Sequence, residues 1–83
     1  MNNDIYILSA VRTAIGSFGG ALAGISPTSL ATSVGKEAIK RAGITPKEVG
    51  QTVFGNVIHT EPKDMYLSRV AAISAGVSDT APA

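Results

Sequence analysis

Apolar and polar positions along this chain change their spacing repeatedly, and each change predicts an element. Ile5-Tyr6-Ile7-Leu8, continued by Ser9-Ala10-Val11, is a short apolar run with β-branched and aromatic members. Its length and the polar residues before it predict a strand buried on both faces. From Gly16 to Gly24 four glycines interrupt the pattern, and regular structure there is costly in backbone entropy. This segment is expected to be a loop, with Phe18 and Leu22 as its anchors. Helical spacing then takes over. Leu30, Ala31, Val34, Ala38 and Ala42 fall on one side, while Ser29, Ser33, Lys36, Glu37 and Lys40 fall on the other.

The ends of that helix are marked as well. Ser26 suits the N-cap, where its hydroxyl accepts an orphan backbone N–H, and Pro27 suits the first helical position. Lys40 and Arg41 lie in the last turn, where positive charge is favoured, and Gly43 suits the residue just beyond. Thr45-Pro46-Lys47-Glu48 fits a capping box with proline just inside, so a single helical turn is expected. Gln51 to Ile58 is a second strand candidate, and His59 to Asp64 is a polar loop holding Pro62. Met65 to Ala75 predicts a second helix, apolar nearly all round apart from Ser68, Arg69 and Ser74, which implies packing on both sides or against another subunit. Gly76 is expected to end it, and Val77 to Ala83 to run on as a loop.

The order is therefore β-α-β-α, with a connection long enough for a right-handed parallel crossover. The predicted fold class is α/β. A two-stranded parallel sheet is not stable by itself, since both of its faces must be covered. Residues 1–83 are accordingly expected to be one incomplete domain.

Composition sharpens that expectation. Of 83 residues, 45% are hydrophobic and only 16% charged, against about 25% charged in ordinary globular chains. A small domain has a high surface-to-volume ratio and needs more polar surface, not less. The apolar side chains are expected to cover further polypeptide or a partner, and the isolated chain is not expected to fold as a stable monomer. A net charge of +1, with 5% aromatic residues and no tryptophan, gives neither an electrostatic footprint nor a stacking platform for nucleic acid. The absence of cysteine excludes a disulfide, a cysteine zinc site and a thiol nucleophile within these residues. No apolar run approaches the roughly 18–20 residues that span a bilayer. Met1-Asn2-Asn3-Asp4 lacks the basic start of a secretory signal, so a soluble, cytoplasmic setting is expected.

Candidate chemistry is sparse. The glycine pattern Gly16-x-x-Gly19-Gly20 is not that of a dinucleotide or Walker loop, and no helix begins within it. A tight structural loop is the stronger reading, and a phosphate cradle the weaker. His59, Glu61 and Asp64 lie close in sequence, but one histidine with two carboxylates around a proline is a weak metal pattern. His59 has no nucleophile beside it to activate. A solvated loop with an interface role is preferred. Arg12, ending the first strand, and Arg69, inside the apolar helix, are read as anchors for backbone carbonyls or a carboxylate.

Taken together, the motifs resemble a known family. Ala10 to Leu22, reading AVRTAIGSFGGAL, resembles the N-terminal signature of thiolases. Val53-Phe54-Gly55-Asn56-Val57 is similar to that family's V-x-x-G-x-V strand. Met65 to Val77 is similar to its P-A-R-x-A-A-x-x-A-G-I/V helix, and Ala81-Pro82-Ala83 to the P-A that opens its next strand. Thr60 to Tyr66 resembles the bacterial β-ketothiolases that handle acyl groups longer than acetoacetyl. Ala14 stands where many relatives have proline.

The resemblance implies the first β-α-β-α part of a thiolase-fold N-terminal half-domain, within a layered αβαβα architecture. It implies an acetyl-CoA C-acyltransferase working through an acyl-cysteine intermediate on coenzyme A thioesters, as a homodimer or homotetramer. The family's cysteine motif, N-x-x-C-G-S-G, is expected a few residues beyond Ala83, and the later acid/base groups further on. No catalytic, cofactor-binding or metal-binding residue is therefore assigned within 1–83, and His59 takes no role by transfer. The competing expectations are a non-catalytic thiolase-like binding or assembly subunit, and a small nucleotide-binding βαβ module.

Overall fold

α1 spans Pro27–Ala42 and forms where the sequence marks it. The computed structural model describes residues 3–83. Ser26 stays in the extended region, and its Oγ accepts the Ser29 backbone N–H at 3.2 Å. This satisfies one of the free amides of the first turn, and Pro27 removes the need for another. At the other end Gly43 adopts φ 72° and donates its N–H to the Lys40 carbonyl. Glu37 and Arg41, one turn apart, form an ion pair at 2.9 Å on the outer side.

A 3-10 turn follows at Pro46–Glu48. The Glu48 carboxylate reaches back to the backbone N–H and the hydroxyl of Thr45, both at 3.1 Å. The expected box is formed, and it closes after one turn.

The second helical segment is shorter than its apolar pattern predicts. A 3-10 turn covers Pro62–Tyr66, and α2 begins only at Leu67, running Leu67–Ser74. Asp64 is the reason, because its side chain turns back onto residues 60 and 61 and holds the chain in the tighter turn. α2 ends in a Schellman arrangement. Val77 N–H bonds to the Ala72 carbonyl and Gly76 N–H to the Ile73 carbonyl, both at 3.0 Å, which satisfies carbonyls the helix leaves free.

α1 and α2 pack against each other. Ala31, Leu67 and Ala71 form the buried centre, with Phe54 lying on it and Ala72, Ala75 and Val77 extending it. Small residues let the helices approach, and a Cβ built at Gly35 lies 3.7 Å from that of Ala75.

Among the described residues there is no strand. Ile5–Val11 and Gln51–Ile58, the two expected strands, run as unpaired backbone, because a ladder needs a neighbouring strand to donate and accept its bonds. Side chains and single backbone bonds tie them to the helices instead. Ser9 Oγ donates to the Ala38 carbonyl at 2.7 Å, Ser68 Oγ to the Thr52 carbonyl at 3.1 Å, and Thr52 N–H to the Pro82 carbonyl at 3.0 Å. In the glycine segment Leu22 is half-buried and meets Gly16, whereas Phe18 is fully exposed and anchors nothing.

Gly76 is a position whose backbone conformation favours glycine. Its φ is 96°, and a Cβ there would lie 3.4 Å from the Pro46 ring. Gly76→Ala is expected to cost about 1–2 kcal/mol from the left-handed conformation alone. The check is the thermal midpoint of the full-length protein, which should fall. Gly35→Ala is a suitable contrast, since its Cβ meets ordinary contact distances and a helical alanine gains about 0.5–1 kcal/mol.

Candidate functional site

The polar side chains that the fold organises most tightly lie around the start of α2. Three segments meet there: the turn from Thr60 to Tyr66, the helix itself, and the tail Asp79 to Ala83. Asn56, His59, Asp64, Ser68, Arg69 and Ala83 are among the residues lining a cleft of about 330 Å³ between them.

Asp64 holds the first segment. It is only 2% exposed, yet Oδ2 accepts three hydrogen bonds: from Thr60 N–H at 2.7 Å, Thr60 Oγ1 at 2.8 Å and Glu61 N–H at 3.1 Å. Donors gathered around a carboxylate favour its charged form. The Thr60 amide is the largest cause. Burial opposes it, while the Thr60 hydroxyl, the Glu61 amide and the nearby His59 add to it, and the Asp64 carboxyl is held below its ordinary range. The other oxygen, Oδ1, and Glu61 Oε1 are buried without a hydrogen-bond partner among the described residues.

The direction of that shift fixes a pH dependence. A carboxyl whose folded pKa lies below its unfolded value binds fewer protons when folded, so its contribution is complete above the unfolded value. It is lost as pH falls below about 4 and through the lower folded value. Amide exchange at Thr60 and Glu61 in the full-length protein, corrected for intrinsic rates, is expected to accelerate in that acid window. Asp64→Asn should flatten this response.

Arg69 holds the third segment. Nη1 donates to the Ala81 carbonyl at 2.9 Å and Nη2 to the Asp79 carbonyl at 2.6 Å. This is the anchoring expected for an arginine within an apolar helix, though the side chain is half-buried rather than enclosed. Arg12 differs. It is exposed, and among the described residues it bonds the neighbouring Thr13 carbonyl, at 2.9 Å.

The remaining sequence candidates are not drawn together into chemistry. Among the described residues no three histidine, aspartate or glutamate side chains approach closely enough to hold a metal ion. His59 is exposed. In the glycine segment the amides of Gly20, Ala23 and Ile25 donate to the carbonyls of Ser17, Gly20 and Leu22, so these amides are turned inward and do not cradle an anion. No helix among the described residues is long and apolar enough to cross a membrane. Sequence reasoning missed the role of Asp64. Its signal was available, since Glu61-Pro62-Lys63-Asp64 repeats the acid-after-proline pattern of Thr45-Pro46-Lys47-Glu48.

Comparison with known proteins assigns this arrangement. Residues 5–83 match the family model described as thiolase, N-terminal domain. The chain is 52% identical, over its whole length, to a beta-ketothiolase from Cupriavidus necator, of which it covers 21%. It is 41% identical over 80 residues to an acetyl-CoA acetyltransferase from Clostridioides difficile, covering 96% of this chain and 74% of that protein. With a cytosolic acetyl-CoA acetyltransferase from Rattus norvegicus the identity is 40% over 82 residues, covering 99% of this chain and 20% of that protein. The chain thus spans about a fifth of the length of the first and third of these relatives. A match running from Ile5 to Ala83, through the glycine segment, both capped turns and the Arg69 helix, leaves one conclusion: the chain belongs to the thiolase family and corresponds to its N-terminal domain.

Proposed function

We propose that this chain is the N-terminal part of an acetyl-CoA C-acyltransferase, and that these residues are scaffold for a nucleophile carried elsewhere in the polypeptide. The observation that carries the proposal is the whole-length similarity to proteins named beta-ketothiolase and acetyl-CoA acetyltransferase. In the condensing direction a cysteine thiolate attacks the thioester carbonyl of one acyl-CoA and expels coenzyme A thiolate. A base then removes an α-proton from acetyl-CoA, and the resulting carbanion attacks the acyl-cysteine, releasing β-ketoacyl-CoA and regenerating the thiolate. Cleavage is the reverse. This chain has no cysteine, so its own contribution is to support and orient.

The same reading makes Ile5–Val11 and Gln51–Ile58 strands of an α/β sheet in the complete protein. The exposure of Ile5, Ile7, Val53 and Val57 supports it, as does the bond from Thr52 N–H to the Pro82 carbonyl. A homodimer or homotetramer would cover further apolar surface, including Met65 and Tyr66. One relative is named cytosolic, which supports a cytoplasmic setting.

The test uses the full-length polypeptide with acetyl-CoA labelled in the acetyl group. Label retained on a cysteine, with release of coenzyme A and formation of acetoacetyl-CoA, is the expected result. A folded protein that takes up no label and releases no coenzyme A would overturn the proposal in favour of a non-catalytic thiolase-like subunit.

A further inference from the structure

We infer that Arg69 is a positioning residue for the proposed acyl transfer, acting through the backbone carbonyls of Asp79 and Ala81. The inference rests on the acyltransferase reading, in which the nucleophile lies further along the same polypeptide.

Packing alone does not locate the tail. Asp79, Thr80, Pro82 and Ala83 are exposed, and Ala81 is half-buried. Hydrogen bonds do the locating. The two Arg69 nitrogens take the carbonyls at 79 and 81, at 2.6 and 2.9 Å. The Pro82 carbonyl accepts from Thr52 N–H at 3.0 Å, and Thr52 is itself fastened to α2 by Ser68 Oγ at 3.1 Å. Inside the tail, Ala81 N–H closes a turn onto the Ser78 carbonyl at 3.1 Å. The carbonyls of Asp79, Ala81 and Pro82 are thus referred, directly or through Thr52, to one turn of α2.

The guanidinium is the chemically specific part. Its nitrogens diverge in a rigid plane and engage two carbonyls two residues apart at once. A lysine ammonium keeps the charge, but its three donors sit on a single nitrogen and cannot reproduce the two separate nitrogens that reach the carbonyls of Asp79 and Ala81. Arg69 and Ala83 also line the same cleft, with Asn56, His59, Asp64 and Ser68. Arg69, together with the Thr52–Pro82 bond, therefore sets the place and the heading of the tail as it reaches Ala83. An error of about 1 Å in such a heading can cost about 100-fold in rate when it reaches reacting atoms.

The experiment compares the full-length wild-type enzyme with Arg69→Lys, and with Arg69→Ala in the presence and absence of methylguanidinium. Wild-type turnover of acetyl-CoA is measured first; its absence would sink the acyltransferase reading itself. Given turnover, folded Arg69→Lys is expected to lose about 10- to 100-fold in kcat with KM for acetyl-CoA nearly unchanged. Exchange at the Thr52 and Ala81 amides should accelerate, while that at Thr60 and Glu61 should not. Methylguanidinium, which carries the same fork, should restore part of the kcat of Arg69→Ala, and this arm decides the matter if Arg69→Lys does not fold. A folded Arg69→Lys with wild-type kcat overturns the inference. So does a loss of activity that in both variants only follows the loss of folded protein, or a folded Arg69→Ala that methylguanidinium leaves unrestored.

Discussion

The isolated 83-residue chain is expected to show no cooperative thermal transition as a monomer. Its surface gives the reason. The chain exposes 6237 Å², whereas a closed protein of 8.4 kDa exposes about 4,600 Å². Its radius of gyration is 14.0 Å, against about 12 Å for a closed domain of this length. The excess is apolar in large part: Phe18 is fully exposed, Ile5 and Val57 are 95% and 94% exposed, and Ile7, Ile15 and Val53 are nearly as open. Against this stand two helices of 16 and 8 residues joined over a centre of alanines and one leucine. Helices of that length are marginal without packing, and this centre is too small to offset the chain entropy. Circular dichroism should show gradual loss of weak helicity on heating, and light scattering should show association. A sharp transition from a monodisperse monomer would contradict the expectation.

The contrast between helices and strands shows what the linear sequence can carry. α1 was legible almost to the residue, because each determinant lies within a turn of where it acts: Ser26 caps Ser29, Pro27 occupies the first position, and Gly43 closes on Lys40. The Pro46–Glu48 turn was legible for the same reason. The β-strand expectation depended on partners distant in sequence, and the segments Ile5–Val11 and Gln51–Ile58 remain unpaired where such partners are not provided. Phe18 failed as an anchor on the same ground, since an aromatic side chain announces that it will be buried but not what will bury it.

The candidate site divides similarly. That Arg69 should hold backbone carbonyls or a carboxylate followed from the cost of a guanidinium within an apolar helix. Which carbonyls it holds did not, because Asp79 and Ala81 are brought to it by the turn at Gly76. Asp64 looked like one member of a solvated loop. Only the folded turn gathers Thr60 and Glu61 around its carboxylate, and with it the delayed start of α2.

Ala71→Glu is expected to be the most damaging single substitution in these residues. Ala71 is 1% exposed and lies where α2 meets Ala31 of α1, beside Leu67 and under Phe54. Replacing a methyl there adds volume to a closed contact, which costs about 1–3 kcal/mol by overpacking. It also brings a carboxyl against the apolar side chains of Ala31, Leu67 and Phe54, where a charged group loses its hydration or takes up a proton, at several kcal/mol more. The sum exceeds about 4 kcal/mol, a large share of the stability of an ordinary domain. The damage should extend beyond the contact. α2 carries both Arg69 and the Ser68 hydroxyl that fastens Thr52, so displacing the helix releases the tail at 79–82 as well. Ser74→Glu supplies the control, because it places the same side chain on the same helix at an exposed position, where a change within about 0.5 kcal/mol is expected. In the full-length protein, Ala71→Glu should yield little folded enzyme, while Ser74→Glu melts near the wild-type temperature. Equal melting temperatures for the two would mean that the α1–α2 contact does not organise this part of the fold. Loss in both would mean that the Ser74 side of α2 is also covered in the complete protein.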